Sequence, residues 1–157
     1  MASQNANRTT IVVADDHVEI IKIIKNILSD DFEVVASAAN GLAAIGAIAQ
    51  FQPDVLITDI QMPMMDGIRA ARHLRSMEST VKIIFISGSA DPEVAQAAMS
   101  TNASGFVLKS HMAVDLPHAL REALAGRHFI SETVDAGISS LAPALPRSAA
   151  AETVTEQ

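Results

Sequence analysis

The chain has 157 residues, of which 49% are hydrophobic and 3% aromatic, so one domain with a sizeable aliphatic core is expected. Its formal net charge of −7 argues against a nucleic-acid-binding surface, and the absence of cysteine excludes disulfides and thiolate metal sites. The polar N-terminus has no apolar segment of the signal-peptide type, and no stretch approaches the roughly 20 apolar residues of a membrane span, so we expect a cytoplasmic protein.

Strand-like and helix-like segments alternate from residue 10 to about residue 125. Short segments rich in Val and Ile are the predicted strands: 10–14, 32–38, 54–58, 82–86 and 105–108. Apolar residues at helical spacing predict helices over 18–29, 41–50, 67–77 and 114–125. A further helix is expected to begin at Asp91-Pro92-Glu93, where Asp91 can cap and Pro92 fits the first turn.

Five strand–helix repeats predict an α/β fold with a doubly wound parallel sheet and right-handed crossovers. The segment 32–38 is more polar than the other strands and suits an edge position, which gives the strand order 2-1-3-4-5. The topological switch point then lies between strands one and three.

The pattern weakens after Gly126, which is expected to end the last helix of the repeat. Val134, Ile138 and Leu141 are spaced for one short helix, and from residue 142 the composition is typical of a disordered tail. We therefore expect a flexible N-terminus at 1–9, a folded domain at 10–126 and a C-terminal extension at 127–157.

Polar side chains follow the predicted strands at the ends that parallel strands share. Asp15 and Asp16 follow the first strand, and Asp59 follows the third. Ser87 and Lys109 follow the fourth and fifth strands. Because ligands bind in the crevice at these ends, three carboxylates, a hydroxyl and an ammonium are expected to meet there. This set suits a hard cation and the acceptance of a phosphoryl group.

The three carboxylates predict a magnesium site, because Mg²⁺ prefers oxygen ligands and keeps several waters. Neighbours in an extended segment face opposite ways, so Asp16 is the expected direct ligand and Asp15 a ligand through water. Without a cation, the clustered carboxylates would repel and raise each other's pKa. The simpler alternative is that Asp15 and Asp16 cap the next helix.

Asp59 is the candidate nucleophile, because a carboxylate can attack phosphorus and carry it as an acyl phosphate. Phosphoryl transfer needs in-line positioning and positive charge near the equatorial oxygens. Lys109 can supply such a charge, and the Ser87 hydroxyl can donate a hydrogen bond. Taken alone, Lys109 is better explained as a solvated lysine and Ser87 as a turn residue.

Four segments together make the chain resemble the receiver domain of bacterial two-component response regulators. They are ADDH at 14–17, DIQMPMMDG at 59–67, SGSA at 87–90 and GFVLK at 105–109. The resemblance implies a flavodoxin-like (βα)5 fold and phosphorylation of Asp59 by a histidine kinase or a phosphotransfer protein. It also implies that Mg²⁺ is held by Asp16, Asp59 and the backbone carbonyl of Gln61, with Asp15 interacting through water.

The resemblance further implies a switch in which Ser87 and Phe106 move together on phosphorylation. Phe106 then turns inward and changes the surface formed by helix four, strand five and helix five, through which a homodimer is possible. The alternative role for Phe106 is a fixed core aromatic. Many receivers carry Pro where this chain has Ser110, and we expect the Lys109–Ser110 bond to be trans because a cis bond there costs about 2.5–4 kcal/mol.

His17 and the segment 125–131 resemble the branch of the family with helix-turn-helix output domains. No basic recognition helix follows, so the output domain is expected to be absent and no direct nucleic-acid binding is expected from this chain. The chain is then either a stand-alone receiver or the receiver part of a longer DNA-binding transcription regulator.

The main rival is a Mg²⁺-dependent phosphatase with an aspartyl nucleophile of the haloacid-dehalogenase type. That class needs a second Asp two residues after the first, and Gln61 stands there. Without a general acid or base, hydrolysis is expected to be slow, so we expect self-phosphoryl transfer and slow autodephosphorylation in place of enzyme turnover. A nucleotide-binding domain is disfavoured because both glycine-rich phosphate-binding motifs are missing.

Overall fold

The computed structural model describes residues 8–28 and 30–141, and strands and helices alternate along them. The strands are β1 Thr9–Ala14, β2 Phe32–Ala38, β3 Val55–Asp59, β4 Lys82–Ser87, β5 Gly105–Leu108 and β6 Phe129–Ile130. The helices are α1 Val18–Ile27, α2 Gly41–Phe51, α3 Gly67–Ser76, α4 Pro92–Met99, α5 Met112–Leu124 and α6 Glu132–Leu141. In the described ranges, no helix is long and apolar enough to cross a membrane.

The strands form one parallel sheet in the order β2-β1-β3-β4-β5-β6. The predicted α/β class and the order 2-1-3-4-5 are therefore confirmed. The sheet continues into β6, which pairs with β5 and was not predicted, because a strand of two residues is too short to show a sequence pattern. β1 and β3 are neighbours with Ala14 opposite Thr58, so the residues that follow them, Asp15 and Asp59, emerge side by side.

Alternate residues of the strands face two separate apolar cores, as the period of two requires. The core on one face is completed by α1 and α5, and its strand residues include Ile11, Val13, Ile57, Ile84 and Val107. The core on the other face is completed by α2, α3, α4 and α6, and its strand residues include Val12, Leu56, Phe85, Phe106 and Leu108. Burial on both faces explains why these strands read as continuous apolar runs.

Two glycines hold the loop between β3 and α3 against its surroundings. The Gly67 amide donates to the Ile60 carbonyl at 2.8 Å, and a Cβ added at Gly67 would overlap the carbonyl oxygen of Asp59. A Cβ added at Gly41 would lie 2.6 Å from the carbonyl oxygen of Met65. Both positions need a residue without a side chain, so the backbone that carries Asp59 is fixed by close approach.

Helix ends follow the predicted signals. Asp91 accepts a hydrogen bond from the Glu93 amide at 2.9 Å, with Pro92 as the first residue of α4. Gly126 ends α5 with φ +83°, and the amides of Gly126 and Arg127 donate to Ala123 and Glu122 in a Schellman motif. α5 begins at Met112, two residues earlier than expected, and β1 begins at residue 9, which was expected in the flexible N-terminus.

The C-terminal extension begins with a strand of the central sheet and continues as the predicted short helix. Val134 is fully buried and Ile138 nearly so, and both join the core that contains Phe106. The predicted flexible N-terminus over residues 1–7 and the predicted disordered tail from residue 142 lie outside the described residues.

The close approach at Gly67 generates a stability prediction. Gly67→Ala should destabilise the protein by about 1–3 kcal/mol, because the added methyl group must displace the Asp59 carbonyl. Gly46 is the matched control, since it lies exposed within α2 with nothing within 4 Å of an added Cβ. Gly46→Ala should stabilise by about 0.5–1 kcal/mol. Urea unfolding measures both changes, and equal effects of the two variants would contradict the account of Gly67.

Candidate phosphoacceptor and metal site

The carboxyl ends of β1, β3 and β5 bring an ammonium between two carboxylates. The Lys109 Nζ lies 2.9 Å from Asp15 Oδ2 and 3.1 Å from Asp59 Oδ2. Asp15 and Asp59 are largely buried, and the lysine side chain is mostly covered. The structure therefore brings together three of the predicted site residues, which are widely separated along the chain.

Asp15 is held by the backbone around it. Its amide donates to the Ala38 carbonyl at 2.9 Å, and its Oδ1 accepts from the His17 amide at 2.9 Å. Its Oδ2 is buried, with the Lys109 ammonium as a charged neighbour but no well-directed hydrogen bond. His17, and not Asp15 or Asp16, is the N-cap residue of α1, so the alternative that the acid pair merely caps this helix is wrong.

Asp16 is the most exposed of the three carboxylates, with 33% of its side chain accessible. The His17 Nδ1 lies 3.3 Å from Asp16 Oδ1 and 3.2 Å from Asp15 Oδ1. Potential ligand atoms of Asp15, Asp16, His17 and Asp59 all lie within 4.8 Å of one another. Sequence reasoning did not place His17 at the site, and its adjacency to the two acids is the signal that could have done so.

The donor set fits a hard divalent cation. Three carboxylates converge, and one of their oxygens, Asp15 Oδ2, is buried without a well-directed hydrogen bond. Carboxylate and carbonyl oxygens suit Mg²⁺, whereas imidazole is a ligand that transition metals prefer. Asp15, Asp16 and Asp59 could therefore hold such an ion, with His17 as a neighbour.

The electrostatics of the site follow from burial and pairing. Burial raises the pKa of Asp59, the hydrogen bond from Lys109 opposes this rise, and the charge of Asp15 adds to it. Burial alone would lower the pKa of Lys109, but its close contacts with the carboxylates of Asp15 and Asp59 outweigh burial and raise it. At neutral pH Lys109 is therefore positively charged, and it lies beside the carboxyl group of Asp59, whose ionisation is opposed by burial.

An open cleft of about 430 Å³ gives access to the site. Asp59, Lys109, Gln61 and Ser87 line it, and Gln61 is exposed two residues after Asp59. The Ser87 hydroxyl donates to the Ser89 carbonyl at 3.0 Å and accepts from the Ser89 amide at 3.0 Å. In this structure the hydroxyl of Ser87 is therefore committed to the β4–α4 loop.

Phe106 is fully buried in β5, opposite Phe85 of β4. The structure therefore places Phe106 in the core, and its movement on phosphorylation stays a prediction. The described residues contain no cis peptide bond, so the Lys109–Ser110 bond is trans, as expected.

Residues 11–121 match the family model of the response regulator receiver domain. The chain belongs to this family. The receiver is 34% identical over 114 residues to the chemotaxis protein CheY of Listeria monocytogenes, covering 72% of this chain and 96% of CheY. It is 33% identical over 132 residues to the transcriptional regulatory protein DegU of Brevibacillus brevis, covering 83% of this chain.

A two-component response regulator of the LuxR family from Aurantimonas sp. has a similar solved structure, with a TM-score of 0.81 and 27% identity. The match covers 85% of this chain and 97% of that one. The receiver spans 56% of the length of DegU, so it resembles only part of that regulator. Two predictions from the sequence are thereby confirmed: membership of the response regulator receiver family and the flavodoxin-like fold.

The raised pKa of Asp59 gives a stability prediction with a definite sign. Ionised Asp59 destabilises the folded state, so Asp59→Asn should raise the melting temperature at neutral pH without Mg²⁺ by a few degrees. The advantage should disappear as the pH falls through the folded pKa of Asp59, because the protonated wild-type side chain is then neutral as well. Calorimetry between pH 3 and 8 measures this difference, and a constant advantage at all pH values would contradict it.

Proposed function

We propose that this receiver accepts a phosphoryl group on Asp59 in a Mg²⁺-dependent reaction and uses it as a reversible signal. The observation that carries the proposal is the Lys109 ammonium, held against Asp59 and Asp15 beside an open cleft. A buried cation next to a carboxylate nucleophile is the arrangement that phosphoryl transfer needs, because the reaction depends on positioning and on charge stabilisation.

In the proposed step a carboxylate oxygen of Asp59 forms a bond to phosphorus. The bond between phosphorus and its donor atom breaks, and the donor leaves with the electron pair. Lys109 stays between Asp15 and Asp59 and can donate a hydrogen bond to a phosphoryl oxygen. The donor we propose is a phosphohistidine of a histidine kinase or of a phosphotransfer protein.

The proposed magnesium ligands are Asp16, Asp59 and the backbone carbonyl of Gln61, with Asp15 acting through water. The partly exposed Asp16 suits direct ligation, whereas the side chain of Asp15 is fully buried. When bound, Mg²⁺ supplies positive charge to the phosphoryl oxygens. Gln61 offers no carboxylate for water activation, which supports slow hydrolysis and a signalling role in place of phosphatase turnover.

A second candidate function is the receiver part of a longer DNA-binding transcription regulator. It is favoured by the match to DegU, of which the chain spans 56%. The homodimer expected through α4, β5 and α5 stays a prediction. β6 pairs with β5 and α6 packs on α4, so a partner could use this face only after these elements move.

Phosphorylation by a small donor tests the proposed function. Incubation with acetyl phosphate and Mg²⁺ should add the mass of one phosphate to the intact protein, and Asp59→Asn should abolish the increase. Asp66→Asn is the matched control in the same loop, because Asp66 caps α3 through the Arg69 amide and Asn is an equally good cap. An unmodified wild type, or a modified Asp59→Asn protein, would contradict the proposal.

Magnesium affinity should depend on pH through Asp59. Because its pKa is raised, protons compete with the ion at a higher pH than they would at an ordinary aspartate, so the loss of affinity on lowering the pH should begin at a correspondingly higher pH. Titration calorimetry is suitable, since the chain has no Trp or Tyr to report binding by fluorescence. Asp16→Asn should weaken binding at least tenfold at neutral pH. Wild-type affinity in this variant would exclude Asp16 as a ligand.

A further inference from the structure

Residues 129–141, here termed the C-terminal cover, close one side of the domain. They comprise β6, which extends the sheet beyond β5, and α6, which packs on α4. Val134 and Ile138 of the cover belong to the same apolar cluster as Ala95 of α4 and Phe106 of β5. The edge of β5 and the inner side of α4 are therefore occupied by the chain itself.

A buried serine fastens the cover to the strand that leads to Lys109. The Ser131 amide donates to the Phe106 carbonyl at 2.9 Å, and its hydroxyl accepts from the Leu108 amide at 3.0 Å. The same hydroxyl donates to Asp115 Oδ2 of α5 at 2.7 Å. Ser131 is almost fully buried, and its hydrogen bonds tie β5, α5 and the cover together.

A second path leads from the cleft to the cover through the β4–α4 loop. The Ser87 hydroxyl is hydrogen-bonded to the backbone amide and carbonyl of Ser89. The Ser89 hydroxyl accepts a hydrogen bond from the Asp91 amide at 3.1 Å. Asp91 caps α4, whose first residue is Pro92. A Cβ added at Gly137 of the cover would lie 3.3 Å from the Cβ of Pro92, so the cover rests directly on the start of α4.

We propose that the C-terminal cover is an intramolecular inhibitory contact, which blocks the edge of β5 and the apolar side of α4. A phosphoryl group on Asp59 weakens this contact. The inference rests on the proposed phosphoacceptor function. A Ser87 hydroxyl that donates its proton to the phosphoryl group can no longer donate it to the Ser89 carbonyl. The loop that orients Asp91 and Pro92 then relaxes, and the cover loses its seat on α4.

Release of the cover has a direct consequence for recognition. It frees the backbone groups of the β5 edge, which can pair with another chain, and it uncovers the apolar side of α4. The coupling is reciprocal: if a bound phosphoryl group favours the open cover, then holding the cover closed must weaken phosphoryl binding.

An engineered disulfide tests this reciprocity. The chain has no cysteine, so Pro92→Cys combined with Gly137→Cys introduces one defined pair, at a Cβ separation close to the roughly 3.5–4.5 Å of natural disulfides. The oxidised variant should bind beryllofluoride with Mg²⁺ at least about fivefold more weakly than the same protein after reduction. Titration calorimetry measures both forms, and the reduced form is the matched control. Equal affinities would overturn the proposal.

Hydrogen exchange of the wild type tests the opening itself, without a substitution. Beryllofluoride with Mg²⁺ should speed exchange at the amides of Phe129 and Ser131, which donate to Ser104 and Phe106. Unchanged or slower exchange in a protein that binds beryllofluoride would overturn the inhibitory cover but leave the proposed function standing. A wild type that binds no beryllofluoride would overturn both.

A matched pair of charge substitutions separates opening from a general effect of charge. Val134 is fully buried and Thr133 is exposed on the same helix. Val134→Asp should open the cover and raise beryllofluoride affinity, whereas Thr133→Asp should leave it unchanged. Equal behaviour of these two variants would contradict a role for the buried face of α6.

Discussion

The contact on which the site depends is the Lys109 ammonium placed between Asp15 and Asp59. It offsets the repulsion between two buried carboxylates, and it keeps a positive charge where a phosphoryl group would arrive. Asp59 nevertheless retains a raised pKa, because the lysine does not fully compensate its burial. A further cation at this site would therefore stabilise the folded state.

The fold produces this contact through backbone constraints. Parallel strands place Asp15, Asp59 and Lys109 together at their carboxyl ends. Gly67 lets α3 approach the backbone of Asp59 closely. One of these strands, β5, also connects the site to the C-terminal cover. β5 carries Lys109 at its end and Phe106 in its middle, and its free edge is filled by β6. The candidate site and the C-terminal cover are therefore both in contact with β5.

The residues that strands deliver to their own ends could be predicted from the sequence, because period and direction fix where Asp15, Asp59 and Lys109 emerge. Details set by tertiary contacts could not. β6 is two residues long, and it is held in place by the buried Ser131. The approach of His17 to both acids depends on the turn into α1. The pairing of Ser87 with Ser89 likewise depends on the conformation of a loop.

A crystal structure with Mg²⁺ and beryllofluoride would show directly whether Asp59 is the phosphoacceptor and whether Lys109 faces the bound group. The ion is expected about 2.0–2.1 Å from carboxylate oxygens of Asp16 and Asp59, with beryllium on Asp59 and Lys109 Nζ contacting a fluoride. An ion bound elsewhere, or Lys109 turned away from an occupied Asp59, would contradict this expectation.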